Sequence, residues 1–221
     1  LYTGAGNDTF DTRGMASTSN WFGYSNYVNT GAGDDHYLTD LGALGTARFV
    51  AGDGYDRLTM DWGNSASAVQ YYNYTASNTY YRTYVDGFGY VHQYYQDIEE
   101  IDFTTGSGAD ELHAIGGRDR FVTNGGNDRI HGVDKGDTVL GGEGNDFVSL
   151  DLRFDEDEVD PAEDINVTLT ALQDEAAVFF AGTEDETHLQ GVEQMTLYTG
   201  AGNDTFDTRG MASTSNWFGY S

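Results

Sequence analysis

The chain has 221 residues, enough for one or two domains with a substantial core, and its 37 acidic against 10 basic residues leave a net charge of −27. That balance argues against nucleic acid or an anionic membrane as a partner, and it implies strong self-repulsion unless cations bind. Cysteine is absent, so no disulfide can staple the fold, and bound metal is the staple that remains.

From the N-terminal end, one loop type recurs singly. It reads Thr3-Gly4-Ala5-Gly6-Asn7-Asp8, Thr30-Gly31-Ala32-Gly33-Asp34-Asp35 and Ala51-Gly52-Asp53-Gly54-Tyr55-Asp56. Glycines permit a tight loop with positive φ. Such a loop turns carbonyl oxygens near Gly4, Gly6, Gly31, Gly33, Gly52 and Gly54 toward one point. Asp8, Asp35 and Asp56 add a charged oxygen there. Hard oxygens on a flexible loop suit Ca²⁺, which takes about 6–8 of them at roughly 2.3–2.6 Å. Each unit is read as a turn of a coil whose far side carries a longer loop, such as 12–20 or 39–46. The region 1–58 is thus a set of irregular coil turns.

Residues 59–97 hold nine tyrosines and no regular Gly-Asp loop. Their composition predicts strands, with a hairpin turning near Asp86-Gly87. The tyrosines are read as the core of a sheet lying on the coil; a glycan- or protein-binding face is the alternative. The alternating stretch 98–103 leads back into the coil, and 59–104 form the first insertion.

Residues 105–149 repeat in nines. Asp110, Asp119, Asp128, Asp137 and Asp146 recur without a slip, each followed two residues later by Leu112, Phe121, Ile130, Val139 or Val148. Two residues ahead of the Asp stands Gly108, Gly117, Gly126 or Gly144, and only Lys135 breaks that column. A fixed period with fixed chemistry per column marks a solenoid, stable only when its units stack. Two nines make one turn, the apolar residue points inward, and same-side loops stack about 4.8 Å apart. Two carboxylates at that distance repel, and a divalent cation between them reverses the sign. Carbonyls near Gly106, Gly108, Asn124, Gly126, Gly142 and Gly144 complete the candidate ligand set. The loops ahead of Asp119 and Asp137 carry Ile115, Val133 and Lys135 in place of the usual pattern. One side of the coil is therefore expected to be the better calcium ladder. Asp8, Asp35, Asp56, Asp110, Asp128, Asp146 and Asp204 are expected to share it.

Residues 150–196 form a second excursion. It has an acidic loop at Asp155–Asp160, the only proline (Pro161), and predicted strands at 165–172 and 177–180. The stretch 192–197 re-enters a calcium-type loop with Gly200, Gly202 and Asp204, echoing 98–103. No segment predicts a helix. Residues 197–221 repeat residues 1–25 without change. The chain therefore reads as one 196-residue unit and the start of the next, a window on a tandem array.

The segment Gly141-Gly142-Glu143-Gly144-Asn145-Asp146-Phe147-Val148-Ser149 resembles the RTX, or haemolysin-type, calcium-binding β-roll repeat, G-G-x-G-x-D-x-apolar-x, at every defined column. The resemblance implies a parallel β-roll and a bacterial secreted or cell-surface protein that folds on meeting extracellular Ca²⁺.

The expected fold is an all-β parallel β-roll with calcium-binding nonapeptide loops and two β-rich insertions. The expected role is a calcium-dependent structural repeat of a secreted fibre, adhesin stalk, matrix or surface layer, with neighbouring repeats as partners. No catalysis is expected; no serine-hydrolase, zinc-protease or Walker sequence occurs. The alternatives are a glycan- or host-surface-binding module, and the RTX segment of a secreted hydrolase or toxin. No run of 18 apolar residues predicts a membrane-spanning helix. The chain opens inside a motif with no signal-peptide pattern, so its natural start is expected upstream. His113 and His131, 18 apart, are read as an exposed ladder, with a transition-metal site as the alternative.

Overall fold

The fold is taken from a computed structural model that describes residues 1–14, 26–40, 47–73, 81–85, 93–155, 158–159, 165–168, 176–180 and 185–207. These residues form strands, turns and irregular segments, with no helix among them. Short runs of alternating apolar and polar residues dictate this. In His36–Asp40, Arg57–Asp61, Glu100–Thr104 and Phe147–Asp151 every second side chain is buried and the rest are half-buried or exposed. Successive side chains of a strand point to opposite faces, so such a pattern covers a core on one side only.

Two sheets cover that core. The long sheet has ten strands, in the spatial order Tyr2–Ala5, Asn26–Ala32, Ala47–Asp53, Gln93–Gln96, Tyr81–Val85, Val69–Asn73, Glu111–His113, Arg129–Val133, Phe147–Asp151, Gln194–Tyr198. The short sheet has eight: Thr9–Asp11, His36–Asp40, Arg57–Asp61, Glu100–Thr104, Arg120–Val122, Thr138–Leu140, Thr187–Gln190, Ala176–Phe179. Outside the two insertions the chain alternates between the sheets at each loop, and sheet neighbours are parallel. This is a β-roll. In 105–149 the register is the expected 18 residues, as in Glu111↔Arg129↔Phe147 and Arg120↔Thr138.

The apolar columns stack along the roll. One runs Tyr71, Leu112, Ile130, Val148, Met195 in the long sheet; another runs Met60, Phe103, Phe121, Val139, Leu189 in the short sheet. All ten belong to one buried cluster. At about 1.5–3 kcal/mol per buried large side chain, these columns are the main apolar drive to fold.

The tyrosine-rich insertion differs from its expected place. It is no separate sheet on the roll but part of the long sheet itself. Tyr81–Val85 runs antiparallel between Val69–Asn73 and Gln93–Gln96. The meander leaves and returns to one sheet, so an inward column is kept: Tyr71 and Tyr95 are fully buried. The expected turn at Asp86-Gly87 lies outside the described residues, as do most of the expected far-side loops 12–20 and 39–46. In the second insertion the strands are Asn166–Thr168 and Ala176–Phe179, at the expected places to within a residue where they are described, with 169–172 outside the described residues, and the acidic stretch carries a small antiparallel pair, Phe154–Asp155 with Glu158–Val159.

Candidate metal centre

The loops lie along the two edges of the roll. At the first edge the chain passes from the long to the short sheet; at the second it passes back. Backbone groups bond one turn to the next along both edges. On the first edge the Asp8 N–H donates to Asp35 Oδ1 at 2.7 Å, Asp35 N–H to Asp56 Oδ1 at 2.7 Å, and Asp56 N–H to Glu99 Oε2 at 2.8 Å. On the second edge Val69 N–H donates to Asp110 Oδ1 at 2.8 Å and Asp110 N–H to Asp128 Oδ1 at 2.8 Å. Asp128 N–H then donates to Asp146 Oδ1 at 2.8 Å, and Asp146 N–H to Glu193 Oε2 at 2.7 Å.

Each carboxylate thus commits one oxygen to the neighbouring turn. The other oxygen, Oδ2, is buried without a hydrogen-bond partner in Asp35, Asp56, Asp110, Asp128 and Asp146. A buried, unpartnered charged oxygen is costly, and a cation is its natural complement.

The glycines keep these loops close to one another. Gly31 and Gly33, Gly52 and Gly54, and Gly142 and Gly144 all have positive φ. A Cβ on Gly31 would collide with the Gly4 carbonyl oxygen, one on Gly52 with that of Gly31, and one on Gly144 with that of Gly126. Where glycine gives way, Asn124 holds the left-handed conformation at φ 57°, which asparagine tolerates. Gly106 and Gly108 lack positive φ, yet a Cβ there would strike the backbone of Ser65 and Ser67. Carbonyls and carboxylates therefore converge with no side chain between them, a donor set of oxygen only. That set fits Ca²⁺, for which Asp35 and Asp56 on the first edge and Asp110, Asp128 and Asp146 on the second would be the charged ligands.

Asp119 and Asp137 are held differently. Asp119 Oδ1 accepts from Ile101 N–H and Oδ2 from Ile115 N–H. Asp137 Oδ1 accepts from Asp119 N–H and Oδ2 from Asp134 N–H. Both oxygens of each carboxylate are bonded to backbone, so these two act as loop braces. This sets them apart from the expected calcium ligands Asp35, Asp56, Asp110, Asp128 and Asp146, each of whose buried carboxylates keeps one oxygen without a partner.

Burial raises the carboxyl pKa in the ion-free protein: to about 6 for Asp56 and Asp110 and about 7 for Asp128, with Asp146 and Glu99 shifted the same way. Burial also raises Asp119 to about 7 and lifts Asp137 well above the ordinary carboxylate value, the latter with Asp119 and Asp134 nearby. A bound divalent cation reverses this preference at the ligand carboxylates.

The expectation that Asp8, Asp35, Asp56, Asp110, Asp128, Asp146 and Asp204 share one side fails. Asp8, Asp35 and Asp56 lead into short-sheet strands, on the edge that also carries Asp119 and Asp137. Asp110, Asp128 and Asp146 lead into long-sheet strands on the other edge. The cause is parity. Two loops, 62–68 and 97–99, cross the core between them, so Asp110 stands at the third crossing after Asp56; the tyrosine meander stays within the long sheet and adds none. The re-entry strands Glu100–Thr104 and Gln194–Tyr198 therefore lie in opposite sheets, and the latter feeds Asp204 on the first edge. Asp204 Oδ1 accepts from Ile165 N–H at 3.1 Å, and Thr205 pairs with Asn166.

Glu99 and Glu193 were missed as ladder members. Each stands where an Asp would, two residues ahead of an inward Ile101 or Met195, the same offset as Asp128 to Ile130. The loop before Glu99 has no glycine; Asp97 takes the left-handed conformation there, at φ 56°.

The model of the family described as RTX calcium-binding nonapeptide repeat (4 copies) matches residues 104–134, 122–152 and 196–210. These segments are calcium-binding nonapeptide repeats, of a kind typical of secreted bacterial proteins. No curated protein matches the chain. No helix among the described residues is long and apolar enough to cross a membrane. The carboxylate ladder extends the motif beyond the matched segments, to Asp35 and Asp56, with the Asp8 N–H bonded at its end.

Proposed function

We propose that the chain is one unit of a calcium-stiffened rod, a structural part of a secreted bacterial fibre, adhesin stalk, matrix or surface layer, with no reaction of its own. The observation that carries this reading is how the repeated sequence uses its two edges. Tyr2 pairs with Asn29 on one side of its strand, while its copy Tyr198 pairs with Asp151 on the other. The Asp8 N–H donates to the next turn, and the carboxylate of its copy Asp204 accepts from Ile165 behind it. Thr9–Asp11 pairs with His36–Asp40, and its copy Thr205–Asp207 with Asn166–Thr168. Laid over one another, the two copies have partners on both edges, which supports a roll that continues through the joint, the long sheet directly and the other face by way of the separate pair Asn166–Thr168 with Thr205–Asp207. Exposed Leu1 and Tyr2 form the surface that a preceding unit covers.

The tyrosine segment gives no independent support to a glycan-binding role. Of its tyrosines with described side chains, Tyr71 and Tyr95 are core and Tyr94 is half-buried.

A continuous roll sets a step length. The first and last strands of the ten-stranded sheet are nine steps apart, and at about 4.8 Å per step a unit adds about 43 Å. Small-angle scattering of one-, two- and three-unit proteins in calcium tests this. The maximum dimension should grow by about 43 Å per unit; a broad distribution typical of beads on a flexible linker refutes the continuous rod.

A further inference from the structure

On the outer face of the long sheet, next to the second-edge loops, three ligand-bearing side chains meet. Glu111 and His113 sit two apart on one strand and so share a face. His131 on the next strand lies directly opposite His113. The two imidazole rings are 4.9 Å apart between centroids, and His131 Nε2 is 3.8 Å from Glu111 Oε1. One ligand atom from each of the three residues lies within 4.8 Å of the others.

We infer that Glu111, His113 and His131 form a second metal site, of a class distinct from the loops: two nitrogens and one carboxylate oxygen for a borderline divalent cation such as Zn²⁺. The chemistry separates the two classes. Ca²⁺ takes oxygen ligands and has little use for imidazole, whereas Zn²⁺, Cu²⁺ and Ni²⁺ prefer it. Two His and one carboxylate with an open fourth position is an established zinc ligand set.

The geometry is close to what an ion needs. Ligand atoms about 2.0–2.1 Å from a tetrahedral ion lie about 3.3 Å apart. The observed separations, 3.8 Å between His131 Nε2 and Glu111 Oε1 and at most 4.8 Å overall, exceed that by no more than side-chain torsions can close. All three side chains are free to adjust, since Glu111 is exposed and the histidines are half-buried. Burial holds both imidazoles below their ordinary pKa, so their lone pairs are available at neutral pH. A cavity of about 270 Å³ adjoins the site, lined by His131, by the loop carboxylate Asp128 and its neighbours Asn127 and Arg129, and by Asn145, Phe147 and Gln194. It gives the open coordination position access to water or to a small ligand. Arg129, in register with Glu111, is the nearest competing cation for that carboxylate.

The site depends on the register of the nines, because a one-residue slip between the two strands would send His131 to the opposite face. It therefore reports on the assembled roll rather than on a local sequence.

The test uses the whole 221-residue chain with saturating calcium, so that the loops are filled, and Co²⁺ as a spectroscopic stand-in for Zn²⁺. One equivalent of Co²⁺ should give a visible d–d band, which Zn²⁺ bleaches and further calcium does not. Glu111→Gln should weaken Co²⁺ binding about tenfold or more, and His113→Ala with His131→Ala should abolish the band. Calcium-dependent melting of each variant checks that the roll is intact, and the exposed, isosteric Glu111→Gln gives a reading even where the double variant misfolds. Absence of a saturable band in the parent overturns the inference. So does a band that calcium displaces, or one that persists in the double variant, for then the ion sits in the loops.

Discussion

An aspartate with one oxygen bonded to backbone and the other buried with nothing to bond is built for an ion, and one with both oxygens bonded is not. That contrast separates Asp128 from Asp137 more sharply than the glycine pattern around them. Asp128→Ala should lower calcium affinity in calorimetric titration, since its carboxylate lies between Asp110 and Asp146. Asp137→Ala should leave affinity nearly unchanged and instead lower stability, because it strips the acceptor from Asp119 and Asp134 N–H, at about 1–3 kcal/mol for each buried donor left unmet. Equal losses of affinity would contradict the distinction.

The same residues set a pH dependence. Their folded pKa values stand above the unfolded value of about 3.9, at about 6 for Asp56 and Asp110 and about 7 for Asp119 and Asp128. For a raised carboxyl, stability is fully present below the unfolded pKa and is lost as pH rises through the folded one. Ion-free protein should therefore melt at progressively lower temperature as pH rises from about 4 to about 7, with the net charge of −27 adding to the trend. Calcium binds the ionised form, so its stabilising effect should grow over the same window. Melting curves with and without calcium across that range decide it; an ion-free protein that gains stability with rising pH would contradict the burial of these groups.

At the scale of elements, the nine-residue columns made most of the roll legible. A period of nine with an apolar residue two after each Asp places loop, strand and core together, and the 18-residue register follows from it. What the sequence hid was parity. Loops ahead of Asp56 and Asp110 look alike, yet the crossings at 62–68 and 97–99, neither with a Gly-x-Gly-x-Asp loop, put their ladders on opposite edges. Turn chemistry signals a bend but not which sheet receives the next strand, because that depends on how many times the chain crosses the core. Glu99 and Glu193 were hidden for a different reason: a longer carboxylate in a loop without the Gly-x-Gly pattern breaks the motif while preserving the bond to the turn before. Glu193→Gln keeps the amide acceptor for Asp146 N–H but removes the charge. It should weaken calcium binding at the Asp146 end while leaving the melting temperature of the ion-free protein within a few degrees. An unchanged affinity would remove Glu193 from the ladder.

At the scale of the whole molecule, apolar columns and cations divide the work. The columns hold the two sheets together, and the ions offset the repulsion of carboxylates stacked one turn apart on both edges. The ladder runs on the first edge through Asp35, Asp56 and Glu99 and moves to the second at Asp110, Asp128, Asp146 and Glu193; Asp204, back on the first edge, has both oxygens bonded, to Ile165 N–H and to the Thr199 hydroxyl. The most direct test is anomalous scattering from calcium in crystals of the loaded chain. The account predicts ions beside Asp35 and Asp56 on one edge and beside Asp110, Asp128 and Asp146 on the other, with none between Asp119 and Asp137. Ions confined to a single edge, or seated between Asp119 and Asp137, would contradict it.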